Sequence, residues 1–579
     1  MASLRDEVIT HRLAPDFFAE FCSGAVSENS MRVLRTSVYS QRRAMLLAVM
    51  RLAASNPVAS GFAQDLDQAY GILSDLEHSA PETLESVIMH PSTGVWLVRA
   101  VRLLLGVGQD SDAPELSYLQ SLAAAAAVRA GYACTITVPV IHRTVVLPTV
   151  GHVRLPAQAR DQAELRNSAE LTVLHLGPDI DPISFGRSAP NSSFIPTRHH
   201  HANRRGVDLF VEIDDNTPYR EFSTPEPPFP LTATESAEWA GLLERAWDEL
   251  THWHLGYAEE LAVGLHTIAP APRTRNYAGS SSNSAFGAVA LSPKTSEFHL
   301  AEVLVHELQH SKLNAVLELV PLHHGGPEDW WYAPWRPDPR PLTGLLHGIY
   351  AFVSVVEFWH NQRGHITDTG LAREGDFTFA YRRAQVRRAV DSLSDAMELT
   401  EFGDHLVSAA SDRLAVTEAE AVPAELADIV RLMAQDHWVT WRLQHMRPDD
   451  DYVTGLADAW RNRKPAPPHV PSRMVPFWQS TPSTTRMALL KAKAVDPERF
   501  VTLKSTARDA DVAFVAGNVD AARSEYLAWI RRDPTALCAW VGLAVSSADL
   551  VTAPEVLLSL YNRLHGRPDP LDLATWLGA

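Results

Sequence analysis

Apolar positions along this chain follow two distinct rhythms. From Ser30 to about Gly131 they recur every three to four residues in an Ala/Leu/Arg-rich stretch, which predicts helices. That stretch ends in the run Ala123 to Ala127, where high helix propensity accounts for the alanines. The rhythm then shortens. Cys134 to Ile141, Thr144 to Pro148, Leu171 to Leu176 and Val207 to Ile213 are short and mostly β-branched, separated by Gly, Pro and Asp, and predict strands of a small sheet. A Pro-rich connector runs from Thr217 to Pro230, and helical character resumes from Ser236 to Ala262. From Phe298 to Val320 there is no Gly or Pro and the leucines and valines spread round most of the circumference, which predicts a helix buried on most sides. A second connector, Lys464 to Pro471, precedes a C-terminal part. There the spacing of Ala513, Gly517, Ala521, Ala522, Tyr526, Asp533, Pro534, Ala539 and Trp540 is similar to one degenerate tetratricopeptide unit, and equally to an ordinary helical hairpin. The expected class is predominantly α with a smaller β region (α+β). The expected regions are 1–130 helical, 131–230 mixed with short strands, 231–463 helical and catalytic, and 474–579 helical and tetratricopeptide-like.

Charge narrows the range of partners. The 579 residues carry a formal net charge of −18, and no dense Lys/Arg run offers a phosphate-binding face, so nucleic acid is not an expected partner. The pairs Arg204–Arg205 and Arg531–Arg532 are read as solvated surface. Three distant cysteines, Cys22, Cys134 and Cys538, form neither a disulfide framework nor a Cys-rich zinc site, which suits a reducing cytoplasm. The first residues lack the basic-then-apolar pattern of a secretory signal. The apolar segments Trp96 to Val107 and Leu122 to Val128 are too short to span a membrane.

The predicted buried helix carries a polar stripe at i+4 spacing: Glu302, His306, His310 and Asn314. His306 and His310 belong to an H-E-x-x-H sequence, and side chains four apart on a helix share a face with Cβ atoms about 5–6 Å apart. Two imidazoles so placed can converge on one divalent ion at about 2.0–2.1 Å each; the alternative is a pair of core histidines bonded to backbone. The triplet His199, His200 and His201 is read as a polar loop, because neighbouring side chains outside a helix diverge.

A catalytic zinc or iron normally takes a third protein ligand. Leu313 and Val316 stand where the extended metalloprotease pattern requires Gly and His, which excludes that class. Glu328 and Glu357 are the carboxylate candidates. His347 is the imidazole candidate, on a helix expected to begin at Pro341 and lying off its apolar stripe, on a line with Tyr350, Ala351 and Ser354 that can face a pocket. Arg336 and Arg340 lie just upstream, and guanidinium is the side chain best shaped to clamp a carboxylate. Asp338 stands between them and can pair with one, leaving its neighbour for a ligand.

Taken together, Gly287 to Pro293, Leu304 to Asn314 and Arg336 to Phe352 resemble the HExxH-motif bacterial peptide β-hydroxylases that depend on iron and 2-oxoglutarate and modify ribosomally made peptides. Weaker similarity runs through Ala125 to Gly131 and Val146 to Gly151, so that residues 30–460 are covered. The resemblance implies Fe(II) held by His306, His310 and His347, with the distal carboxylate of 2-oxoglutarate gripped by Arg340 or Arg336, and O2 as co-reactant. It implies hydroxylation of a β-carbon in a precursor peptide, with or without a leader segment, coupled to decarboxylation of 2-oxoglutarate to succinate.

Two other readings use the same residues. In a zinc metallopeptidase or amidase, Glu307 would be the general base acting on metal-bound water. In the oxygenase it would orient a ligand or water from one shell out. A non-enzymatic peptide-binding scaffold would need a closed four-ligand metal site, for which Glu357 and His360 are the available additions.

Overall fold

The structure is a computed structural model that describes residues 11, 13–107, 113–156, 160–177, 180–186, 193–272, 279–294, 296–326, 329–394, 396–476, 484–547, 552–565 and 568–578. The initial segment and Glu328 lie outside that set. The chain is 59% helical with 12% strand, so it is mostly α with a smaller β region. It divides into two units, Met1–Val320 and Pro321–Ala579, and the boundary falls within the stretch 231–463.

The first unit opens with the helices Pro15–Ser23, Glu28–Ala53, Ala63–Ser79, Pro81–Ile88, Pro91–Leu104 and Tyr118–Ala130. Every residue from Tyr118 to Ala127 is buried, and this helix packs against its helical neighbours and the strands Cys134–Pro139 and Thr144–Leu147. Ala123 to Ala127 therefore serve close packing as well as propensity. A larger side chain at these fully buried positions would have to push neighbouring backbones apart.

Three sheets follow. Cys134–Pro139, Gln162–Asn167, Thr172–His175 and Ile183–Phe185 form an antiparallel sheet, and Thr144–Leu147, Gly151–Arg154 and Phe194–Pro196 form a second. The third has the order Ala288–Leu291, Thr267–Pro270, Val207–Ile213, Arg198–Arg204. Its first three strands are parallel and the last is antiparallel. His199, His200 and His201 sit in that last strand, not in a loop, because they pair in register with Glu212, Val211 and Phe210. They do diverge: His199 stacks on Phe210 at 5.1 Å, while His200 approaches Glu244.

Against this third sheet lies the helix Glu297–Leu317, packed also on the helices Glu28–Ala53, Ala233–Trp253 and Leu255–Gly264. Ser296 caps it by accepting from the His299 N–H. Gly287, which leads into the strand Ala288–Leu291, has φ +77°, and a Cβ there would stand 2.7 Å from both the Gly264 carbonyl oxygen and the His266 ring. Only glycine fits without displacing that backbone.

The second unit is almost entirely helical, from Leu342–Gln362 through Thr369–Asp391, Glu401–Val416, Ala424–His445 and Asp450–Arg461 to a run of shorter helices ending in Pro570–Gly578. One apolar core extends from Phe377 to Ala574. Arg486, fully buried, bridges Asp436 (2.7 Å) and Asp511 (2.7 Å) and also donates to Tyr526 Oη at 3.3 Å. The hairpin Asp509–Val515 and Val519–Arg532 is thereby tied to the body of this unit by charge as well as by packing. Leu342–His365 is long and apolar enough to cross a membrane, but 72% of its most apolar window is buried, as in the core helix of a globular unit.

Candidate metal centre

Between Leu304 and Val316 only His306, His310 and Asn314 escape full burial; every other side chain is packed away. The polar stripe expected from the sequence is therefore the one open line on this part of the helix. His306 Nε2 and His310 Nε2 lie 3.2 Å apart, with their rings nearly perpendicular at 87°. With metal–nitrogen bonds of about 2.0–2.1 Å, that separation corresponds to an N–metal–N angle of roughly 100°, within the range of tetrahedral and octahedral ions. The pair thus fits a divalent metal.

The opposite face of the helix explains why the stripe points where it does. Lys312 and Glu260 form an ion pair without solvent exposure. The Lys312 ammonium also donates to the Gly24 carbonyl and to Gln309 Oε1, each at 2.9 Å. Gln309 Nε2 donates to Glu260 Oε2 at 3.0 Å, and the Val26 N–H donates to Oε1 at 3.1 Å. All three ammonium protons and both carboxylate oxygens are used. A buried pair is tolerable only when satisfied to that degree. The network fixes the helix against rotation, and the H-E-x-x-H reading gave no sign of it.

Glu307 is buried beside the stripe and accepts from Ser281 Oγ at 2.6 Å. Burial pushes its carboxyl up to about 7, opposed by the Ser281 bond and the charge of Lys294. Ser281 follows Ser280, whose backbone bridges Ala290 at the sheet edge, so the same edge strand holds Glu307 in place.

His347, Arg336 and Arg340 belong to the second unit. Pro341 caps, rather than begins, the helix Leu342–Gln362. The segment leading into that helix is held by side chains on two others. His437 Nδ1 accepts from the Tyr332 hydroxyl at 2.7 Å, Gln385 Nε2 donates to the Pro334 carbonyl at 2.8 Å, and His445 Nε2 bonds the Pro337 carbonyl at 2.8 Å. Trp331 pairs with Arg340 in a short antiparallel ladder. Gly348 lies flush on the Trp335 indole: a Cβ would come within 2.0 Å of it, so the residue after His347 must be glycine for this segment to seat.

Asp338 chooses between the two arginines. It takes Arg336 through two bonds, at 2.9 and 3.3 Å, and reaches Arg340 only at 3.5 Å. Arg340 in turn acts on His347. Burial first, then the Arg340 charge, lower the imidazole to about 4, so the ring is neutral at pH 7, the form that ligates metals.

The other ligands considered do not join His347. Glu357 is ten positions further along the same helix, about 15 Å at 1.5 Å per residue, and is clamped by Arg413 through two 2.7 Å bonds. His360 is further still and faces Glu420 at 3.5 Å. Tyr350, Ala351 and Ser354, expected to face a pocket, are buried, and Ser354 Oγ accepts from Arg413.

One grouping was not singled out from the sequence. His90, Glu212 and Asp214 are buried with ligand-type atoms within 4.8 Å of one another. These atoms already have partners. His90 Nδ1 accepts from Ser92 N–H at 3.3 Å and its Nε2 meets Glu212 at 3.2 Å, while Asp214 accepts from the backbone of Asn216 and Thr217. His90 caps the helix Pro91–Leu104, and the trio reads as a structural hydrogen-bond network.

No protein-family model and no curated protein matches the chain.

Proposed function

We propose that the chain is an Fe(II)- and 2-oxoglutarate-dependent oxygenase that hydroxylates the β-carbon of a residue in a ribosomally made peptide, and that it works in the cytoplasm. The observation that carries the reading is the His306–His310 pair, with Nε2 atoms 3.2 Å apart on the open line of an otherwise buried helix. The three-segment sequence resemblance assigns the third ligand to His347. When bound, the iron with 2-oxoglutarate and O2 supplies the oxidising power for C–H cleavage, at the cost of one decarboxylation to succinate and CO2.

The chain's own residues supply position and charge. His306 and His310 present two nitrogen donors from one rigid helix, whose rotation Lys312 and Glu260 prevent. Arg340, less engaged by Asp338 than Arg336 is, is the guanidinium for the distal carboxylate of the keto acid. Three neutral imidazoles would leave the metal's charge to be balanced by that dianion. Glu307, held by Ser281, orients a ligand or water beside the histidines.

The test is anaerobic reconstitution with Fe(II), followed by 2-oxoglutarate, O2 and a candidate precursor peptide. The expected result is stoichiometric succinate and a peptide heavier by one oxygen, with iron lost from His306→Ala, His310→Ala and His347→Ala. Peptide cleavage with zinc alone, independent of O2 and abolished in Glu307→Gln, would replace this reading with the hydrolase.

A further inference from the structure

The second unit contains a cavity of about 950 Å³, the upper end of the range for ligand pockets. Among the described residues that line it none is acidic, in a chain whose net charge is −18. Arg461, Arg463, Lys464 and His565 stand round it, and Trp460 and Trp576 form its wall. We propose that this recess is a docking site for an acidic peptide segment carrying aromatic or aliphatic side chains.

The local backbone is built to present the cations. The helix Asp450–Arg461 and the helix Pro554–Arg563 both end at the recess, and each is followed by a residue in the left-handed region, Arg463 at φ 55° and His565 at φ 57°. The Lys464 N–H closes the first of these ends on the Ala459 carbonyl at 2.9 Å, and the His565 N–H bonds the Asn562 carbonyl at 3.0 Å. Glycine is the usual occupant of such a position because it carries no Cβ. Here both ends hold a long basic or imidazole side chain instead.

Cations near helix C-termini also complement the helix dipole, which is the purely structural account of them. The balance exceeds that need. Arg461, Arg463 and Lys464 contribute three formal charges; Asp458, 3.1 Å from Arg461, removes one, and two helix ends remove about 0.5 each, leaving roughly one positive charge. Arg463 and Lys464 have no carboxylate within ion-pair distance among the described residues.

The wall decides the class of occupant. Trp460 and Trp576 meet edge to face, with ring centroids 5.3 Å apart at 79°, so they offer no parallel slot in which a flat base could stack. They offer instead an apolar corner for a side chain. The Trp576 indole N–H donates to the Lys464 carbonyl at 3.0 Å, which locks the corner to the strand of chain that bears the cations. A carboxylate on Arg463 or Lys464 then falls beside an apolar side chain in the corner, a pairing met by an acidic, partly apolar peptide.

The test uses the full chain without metal, keto acid or O2, so its outcome is separate from that of the oxygenase reading. A short fluorescein-labelled peptide alternating glutamate with leucine, with one phenylalanine, is titrated by anisotropy while tryptophan emission is followed. The lysine-for-glutamate peptide is the control. We expect the acidic peptide alone to bind, to perturb tryptophan emission and to weaken with added salt. The double variant Arg463→Gly with Lys464→Ala should bind about tenfold more weakly or worse, with thermal stability no lower than the parent's because glycine suits the left-handed position. Equal binding of the two peptides, unchanged binding by the double variant, or no binding of the acidic peptide would overturn the proposal. Displacement of the peptide by a nucleoside triphosphate would transfer the site to nucleotides.

Discussion

Lys312 and Glu260 meet without solvent exposure on the face of the Glu297–Leu317 helix opposite His306 and His310. The two residues are 52 positions apart in sequence, and their pairing holds the histidine stripe in one orientation. Removing one partner leaves a buried charge uncompensated, which costs about 3–5 kcal/mol. Lys312→Met should therefore lower the urea midpoint sharply, while Lys312→Met combined with Glu260→Leu recovers much of the loss. If the single variant were as stable as the parent, the pair would not be what fixes the helix.

Gly287→Ala adds a Cβ at φ +77° within 2.7 Å of backbone. The expected cost is about 2 kcal/mol or more, read by chemical denaturation. A change below about 0.5 kcal/mol would mean that the turn before Ala288–Leu291 relaxes freely.

Stability should fall in mild acid through His266. Burial first, then the charges of Arg35 and Arg42, lower its imidazole to about 3, and Arg35 Nη1 donates to His266 Nε2 at 2.6 Å. The unfolded chain takes up this proton near pH 6.5, the folded protein only near 3. Its contribution is thus complete above pH 6.5 and is lost as the pH falls from there toward 3. His152, lowered to about 4 by burial, acts with the same sign. His266→Gln keeps an acceptor for Arg35 but removes the titration, so melting temperature should decline less steeply between neutral and acid pH than in the parent. Parallel profiles would place the acid sensitivity elsewhere.

The unequal grip of Asp338 separates the two arginines. Arg340→Ala should raise the 2-oxoglutarate concentration giving half-maximal rate by about 10- to 100-fold, the worth of a charge-assisted bidentate contact. Arg336→Ala, losing mainly an exposed ion pair, should change it by less than about threefold. The reverse ranking would assign the keto acid to Arg336.

His347 and Gly348 can be separated by function. Gly348→Ala presses on the Trp335 indole and should destabilise the segment that carries Arg336 and Arg340. His347→Ala spares that contact and should cost less stability than Gly348→Ala without added metal, while binding Fe(II) more weakly by equilibrium dialysis. Normal iron stoichiometry in His347→Ala would remove it from the ligand set.

Local features were legible in the sequence because they depend on neighbours along the chain. The i+4 spacing of His306 and His310 fixes a shared helix face, the Gly- and Pro-free run to Val320 fixes the helix that carries it, and β-branched runs give the strands near Cys134, Thr144, Thr172 and Val207. The mostly helical class follows from the same periodicities. What distant segments do to one another was not legible. The burial of Ala123 to Ala127, the strand pairing of His199 to His201, the preference of Asp338 for Arg336, the capture of Glu357 by Arg413 and the Lys312–Glu260 lock each require a partner that no pattern in the chain specifies. Periodicity records which face of an element is buried; only the folded chain determines which groups meet there, because buried polar atoms take whatever partner the packing brings within hydrogen-bond reach.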